Sequence, residues 1–171
     1  MLIRDWLLPE LEQEIKITRS LVASAPDPKL DWRPHQKSFS LRELTSHLVN
    51  IPAWVPMTLD TPVLDFAAQS EWKTPQANST EEALGILDAN ASATFSKLSV
   101  ATDEAFLEPW TMKNGTQVFF TIPKLAVIKE YVIKHSVHHR GQLSVYLRLL
   151  DVPLPQVYGP TADQAMMSPP N

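Results

Sequence analysis

The strongest constraint on the fold is a long amphipathic segment, Pro123 to Leu150, that carries two histidines on its apolar face. At about 100° per residue, its apolar side chains form one stripe along an α-helix. They are Leu125, Ile128, Val132, Leu143, Tyr146 and Leu150. His135 and His139 lie near the middle of this stripe, one turn apart. Because buried polar groups need partners, the segment predicts a helix whose core-facing side also contains a polar site.

A divalent metal ion would satisfy both imidazoles, since histidines at positions i and i+4 of a helix can share one ion. The alternative is a chance pair of hydrogen-bonded core histidines, because the chain has 5 histidines in all. A third ligand from another part of the chain would favour the metal site over this alternative.

Composition excludes several classes of protein. The 171 residues predict a single domain, residues 1–171, with a sizeable core. The net charge is -4 and no basic cluster is present, which disfavours nucleic-acid binding. There are no cysteines, which excludes thiolate ligands and a cysteine nucleophile. Charges near the N-terminus argue against a secretion signal, and no apolar run is long enough to span a membrane, so we expect a cytoplasmic protein.

Three further helices are predicted ahead of the last one, covering Leu2 to Ser24, Ser40 to about Pro52, and Ser79 to Val100. The second begins with a capping box formed by Ser40 and Glu43. His47 lies at the edge of its apolar stripe. Pro52 cannot donate to the carbonyl of Leu48, so this helix should kink or end just past His47.

Asn114-Gly115 is a strong hairpin signal ahead of the last helix. The stretch from Thr61 to Asn78 has no clear periodicity and is predicted to be irregular. After Leu150 the chain is rich in proline, and residues 163–171 are predicted to be a flexible tail. The fold class expected from these elements is all-α. It is an up-and-down-type four-helix bundle with a short β-hairpin or extended excursion before the last helix.

A bundle places the apolar stripes of its helices face to face. His47 can therefore meet His135 and His139, which gives a candidate metal site of three histidines. Three neutral imidazoles would leave a divalent ion with an open position for water or substrate. His35 lies in a loop and is expected to be solvated.

Several segments, in this order and spacing, resemble one family. They are Trp32-Arg-Pro, Ser38 to Leu48, His135 to Leu143, Tyr146-Leu-Arg-Leu, and Leu154-Pro with Tyr158 to Asp163. The pattern is similar to the DinB/YfiT-like superfamily of four-helix metal proteins, and the last segment resembles its DinB branch. The resemblance implies one divalent metal ion, such as Zn, Ni, Mn or Fe, bound by His47, His135 and His139.

Other residues of the last motif match the family without a ligand role. His138 is expected on the rim of the site, and Gly141 is expected to allow a close helix approach. Arg140 points away from the stripe and is expected to be solvated or paired with an acidic residue. Gln142 is expected on the buried side, where it either orients a ligand imidazole or a metal-bound water, or is a capped core amide.

The resemblance also implies a class of activity, namely metal-dependent transfer of low-molecular-weight thiols. Because the chain has no cysteine, the thiol would be a cosubstrate that attacks a small electrophile. The alternatives are a metal-dependent hydrolase and a metal- or ligand-binding protein without turnover. No acidic residue lies on the buried stripes of the second or fourth helix, which weakens the hydrolase. A homodimer is a further expectation from the resemblance.

Three aromatic residues, Trp54, Tyr131 and Tyr146, are expected close to the site. They either line a pocket or belong to the core, and aromatic residues at helical spacing belong more often to the core.

Overall fold

The computed structural model describes residues 2–68 and 74–163. The first three predicted helices correspond to α1 (Ile3–Ala23), α2 (Leu41–Asn50) and α4 (Thr80–Val100). The last helical segment consists of α6 (Lys124–Val127), a π-helical stretch (Ile128–Lys134) and α7 (His135–Leu149). The four predicted helices are therefore present, and the fourth contains a π-helical stretch that the sequence pattern did not indicate.

The long helices surround a shared apolar core. Both α4 and α7 pack against α1 and α2. Among the side chains with no exposed surface are Leu21, Val22, Leu41, Leu44 and Leu48. The burial of these apolar side chains is the main favourable contribution to the stability of this part of the fold.

Pro52 ends α2 as the sequence predicts. The chain passes from α2 into a 3₁₀ turn, Ile51–Ala53, and then into the short helix α3, Trp54–Asp60. Proline has no N–H to continue the α-helical pattern, and the 3₁₀ turn begins one turn after His47. The carbonyl of Pro52 accepts a 2.7 Å hydrogen bond from the buried hydroxyl of Thr94 on α4.

The prediction of an all-α bundle is wrong, because the protein contains a three-stranded mixed sheet. Its strands are β1 (Val63–Asp65), β2 (Pro109–Asn114) and β3 (Gln117–Pro123), in the order β1-β2-β3. A short helix, α5 (Asp103–Leu107), precedes β2. β2 and β3 are antiparallel around Asn114-Gly115, where Gly115 has a positive φ of 60°. β1 pairs with β2 in parallel and comes from the stretch predicted to be irregular.

The sheet has its own small core, which joins it to the helices. Leu64 of β1, Trp110 of β2 and Val127 of α6 are at most 1% exposed and pack together. Trp54 and Tyr131 cover this cluster from the helical side. The sheet is thus an integral layer of the fold and lies next to the helical segments that follow His47 and precede His135.

No helix among residues 2–68 and 74–163 is long and apolar enough to cross a membrane. Asp163 is the last described residue, and it forms an ion pair with Arg148 of α7. The remainder of the tail that was predicted to be flexible, residues 164–171, lies outside the described residues. The assignment of residues 1–171 to a single domain stays a prediction.

Candidate metal centre

The predicted capping box fixes the start of α2 and therefore the position of His47. The hydroxyl of Ser40 accepts from the backbone N–H of Glu43, and the Glu43 carboxylate accepts from the backbone N–H of Ser40 at 2.6 Å. His47 then follows Glu43 by one turn of α2. It is half-buried and directed towards α7, where His135 is half-buried and His139 is buried.

His47, His135 and His139 meet at one point, and we call them the histidine triad. The Nε2 atoms of His47 and His135 are 2.8 Å apart, and those of His139 and His135 are 3.1 Å apart. One ring nitrogen of each residue lies within 4.8 Å of those of the other two. Three nitrogens on a tetrahedral Zn²⁺ would be about 3.3 Å apart, so the two measured separations are close to those that such an ion requires.

The protons on the ring nitrogens of the triad are too few to satisfy all contacts between the rings, which favours a bound cation. Nδ1 of His139 lies 2.7 Å from Oε1 of Gln142 and donates to it in the assigned amide orientation. Nε2 of neutral His139 then carries a lone pair. Nε2 of His135 faces the Nε2 atoms of both His47 and His139. In a neutral ring this atom carries either one proton or one lone pair, not both. Neutral imidazoles therefore cannot give both contacts a full hydrogen bond, whereas one cation accepts a lone pair from each ring.

Burial keeps the triad in the neutral form that binds metals. Burial, together with the neighbouring His139 and His135, lowers the pKa of His47 to about 4. Burial, followed by His139 and His138, likewise lowers the pKa of His135 to about 4. Burial also lowers the pKa of His139, against the opposing effect of its hydrogen bond to Gln142. At neutral pH no proton competes with a metal ion for these nitrogens.

Two other residues of the motif, His138 and Gln142, contact the triad. His138 is exposed on the rim as predicted, and its ring centroid is 4.9 Å from that of His139. Gln142 contacts His139 but is exposed, so the prediction that it lies on the buried side is wrong. Its Nε2 is 3.1 Å from Nε2 of His138. The Gln142 amide thus bridges a triad imidazole and a rim imidazole.

The structure decides between the alternatives for Arg140 and contradicts the prediction for Gly141. Arg140 is only 1% exposed, and its guanidinium pairs with Glu14 of α1. The alternative of a pair with an acidic residue is therefore confirmed, and that of a solvated side chain is wrong. A Cβ atom added at Gly141 would have no neighbour within 4 Å, so this glycine is not required by a close helix approach.

The aromatic residues expected near the site separate into two groups. Trp54 and Tyr131 stack on each other, with ring centroids 6.4 Å apart, in the core beside the sheet. The hydroxyl of Tyr146 donates to the carbonyl of Phe39 at 3.1 Å.

The sequence analysis did not identify Phe39 as a residue of the site, although its position directly before the capping box places it beside the first turn of α2. His35 is exposed, as predicted.

The fold and the triad together define a mainly helical protein with three histidines that could hold one metal ion. The model of the DinB family matches residues 5–168, and the chain belongs to this family.

Two solved structures support the same fold. A DinB-like protein from Bacillus subtilis has 16% identity and a TM-score of 0.62, with 90% of this chain and 94% of that chain covered. A DinB-like protein from Bacillus cereus ATCC 10987 has 19% identity and a TM-score of 0.62, with 88% and 95% covered. Among curated proteins, none matches the chain.

Proposed function

We propose that the protein binds one divalent metal ion through His47, His135 and His139 and transfers a low-molecular-weight thiol to a small electrophile. The observation that carries the proposal is the convergence of three neutral imidazole nitrogens at one point. Three protein ligands without a fourth are typical of catalytic rather than structural metal sites. A bound divalent ion would supply Lewis acidity that makes a thiol more acidic near neutral pH.

In this proposal the chain's own residues bind and orient, and they provide no thiol. The sequence contains no cysteine, so a reacting thiol must be a cosubstrate. Glu43, one turn before His47, is engaged in the capping box and is not available as a general base. Among the described residues, the group of ligand atoms around the triad contains no carboxylate. This donor set favours a cosubstrate that carries its own nucleophile over the activation of water, which usually needs a base.

The first experiment is elemental analysis of untagged protein. Wild type is expected to contain close to one divalent metal ion per chain. His47→Ala, His135→Ala and His139→Ala should each lose it, because two imidazoles hold a metal ion far more weakly than three. His35→Ala is the matched control, since this histidine is exposed and lies in a loop. A metal-free wild type, or equal metal content in all four variants, would refute the metal site.

The second experiment tests transfer with glutathione and 1-chloro-2,4-dinitrobenzene. In the expected reaction a sulfur–carbon bond forms, the carbon–chlorine bond breaks, chloride leaves with the electron pair, and the thiol proton passes to solvent. Metal-loaded wild type should consume thiol and release chloride in equal amounts, and the triad variants should not. Ester hydrolysis without any use of thiol would indicate a hydrolase. Bound metal without either reaction would indicate a binding protein.

A further inference from the structure

Exposed side chains lie next to the histidine triad. Within the described part of the chain, three exposed residues are in ring contact or hydrogen-bonded with triad members: Phe39, His138 and Gln142. We call them the site rim. A small molecule that approaches the triad nitrogens from solvent meets these side chains, so their chemistry selects what can bind.

The site rim has two flanks of different character. The ring of Phe39 lies 5.9 Å from that of His47 and 6.3 Å from that of His139, measured between centroids. The ring of His138 lies instead 4.9 Å from His139 and 6.5 Å from His135. Gln142 is hydrogen-bonded to both His138 and His139. One flank is therefore apolar and aromatic, and the other can form hydrogen bonds.

Phe39 is exposed in a fixed position rather than on a loose loop. Its side chain is 45% exposed, while its carbonyl accepts a hydrogen bond from Tyr146 at 3.1 Å. Tyr146 in turn packs edge-on against Trp32, with centroids 5.6 Å apart. The next residue, Ser40, caps α2. These contacts order the backbone at Phe39 and directly after it, while its ring remains available to a ligand.

We infer that Phe39 determines substrate specificity by stacking against a planar group next to the metal-binding atom of the substrate. This inference rests on the proposed function, because it needs a metal ion at the triad. The substrate class is a small molecule with a metal-binding head attached to an aromatic or conjugated group. Its polar substituents would face His138 and Gln142. Aromatic stacking of this kind favours offset or edge-to-face contacts at centroid distances of about 4.5–7 Å.

The test compares two metal-binding probes on zinc-loaded protein, namely benzohydroxamate and acetohydroxamate. Their heads are the same, so the ratio of their dissociation constants isolates the contribution of the ring. Wild type should prefer benzohydroxamate. Phe39→Ala should reduce this preference roughly 2- to 12-fold and leave acetohydroxamate binding unchanged. Phe39→Tyr, which keeps the ring, should retain the preference.

Phe119→Ala provides the matched control. Phe119 is 49% exposed, similar to Phe39, but it lies on β3 and contacts Phe66 instead of the triad. This variant should bind both probes as wild type does. The inference is overturned if wild type has no aryl preference, or if Phe39→Ala keeps it. Metal content, measured on the same samples, separates the two proposals. A wild type without metal refutes both, whereas a metal-loaded Phe39→Ala with unchanged preference refutes only the role of Phe39.

Discussion

Nδ1 of His139 and Oε1 of Gln142 are 2.7 Å apart, on adjacent turns of the same helix. The contact fixes the tautomer of His139 and turns its Nε2 lone pair towards the other two imidazoles. Outer contacts of this kind orient metal ligands and raise their basicity. Because Gln142 is exposed, its contribution can be separated from the stability of the fold.

Gln142→Leu is expected to lower metal affinity about 10- to 100-fold, as the loss of such an outer contact does in other metal sites. Competition with a chelator of known affinity measures the effect. The free energy of unfolding of the metal-free protein should change little. Gln142→Glu keeps an acceptor at this position and should retain affinity. Gln13→Leu, at an exposed glutamine of α1, is the control for the substitution itself. Wild-type affinity in Gln142→Leu would contradict the role assigned to this contact.

A second prediction concerns Arg140, whose guanidinium is buried between α7 and α1. It donates to the carbonyl of Glu14 at 2.6 Å and to the hydroxyl of Thr18 at 3.1 Å, and it pairs with the Glu14 carboxylate. The Glu14 side chain is only 12% exposed. The Tyr158 hydroxyl also donates to this carboxylate at 2.7 Å. Arg140→Met would leave the buried carboxylate with that hydrogen bond but without its cationic partner. It should therefore lower the free energy of unfolding by about 3–5 kcal/mol in urea titrations.

The double variant Arg140→Met, Glu14→Gln should recover part of this loss, because it removes the unpaired charge. Lys134→Met is the control. Lys134 pairs with Glu130, but their side chains are 63% and 49% exposed, and exposed pairs contribute only about 0–1 kcal/mol. If Arg140→Met and Lys134→Met destabilise the protein equally, the buried pair is not what joins α7 to α1.

The sequence was sufficient to predict that the three histidines meet, because local signals place each one on its helix, and the expected helix packing and the family resemblance join His47 to the other two. The spacing of His135 and His139 follows from helix geometry, and the capping box fixes which turn of α2 presents His47. Phe39 gave no such signal, since an apolar residue before a helix usually packs against that helix. Its position depends on the hydrogen bond from Tyr146, which is distant in sequence and packs against Trp32.

The sequence did not predict β1 or the burial of Arg140, and the reasons are physical. β1 has only three residues, too few for the alternation that identifies a strand, and its partner β2 lies far along the chain. Arg140 is off the apolar stripe of α7, but α1 packs against α7 and its Glu14 pairs with this arginine. Burial there depends on which helices are neighbours, and a single helix pattern does not contain that information.

Acid should destabilise the metal-free protein through the triad. The pKa of His47 falls from its ordinary value of 6.5 to about 4 in the folded protein, and that of His135 does the same. Between these values the unfolded chain binds more protons than the folded one. The free energy of unfolding therefore decreases as pH falls from 6.5 towards 4, by at most about 1.4 kcal/mol per pH unit for each histidine.

Urea unfolding of chelator-treated protein at pH 7, 6 and 5 measures this slope. His47→Leu removes one of the titrating groups and should make the slope shallower. His35→Leu, at an exposed loop histidine, should leave it as in wild type. A slope that is the same in wild type and His47→Leu would show that burial of this imidazole does not govern the acid sensitivity.

The last prediction tests whether the unexpected strand belongs to the cooperative fold. Leu64 of β1 is 1% exposed and packs with Trp110 and Val127. Leu64→Ala removes buried methyl groups and leaves a cavity, which typically costs about 2–5 kcal/mol in the free energy of unfolding. Its neighbour Val63 is 37% exposed on the opposite face, so Val63→Ala should cost far less. Equal effects of the two variants would mean that β1 contributes little to stability. A large effect of Leu64→Ala alone would mean that the sheet and the helices unfold together, because Val127 belongs to the helical segment that leads to His135.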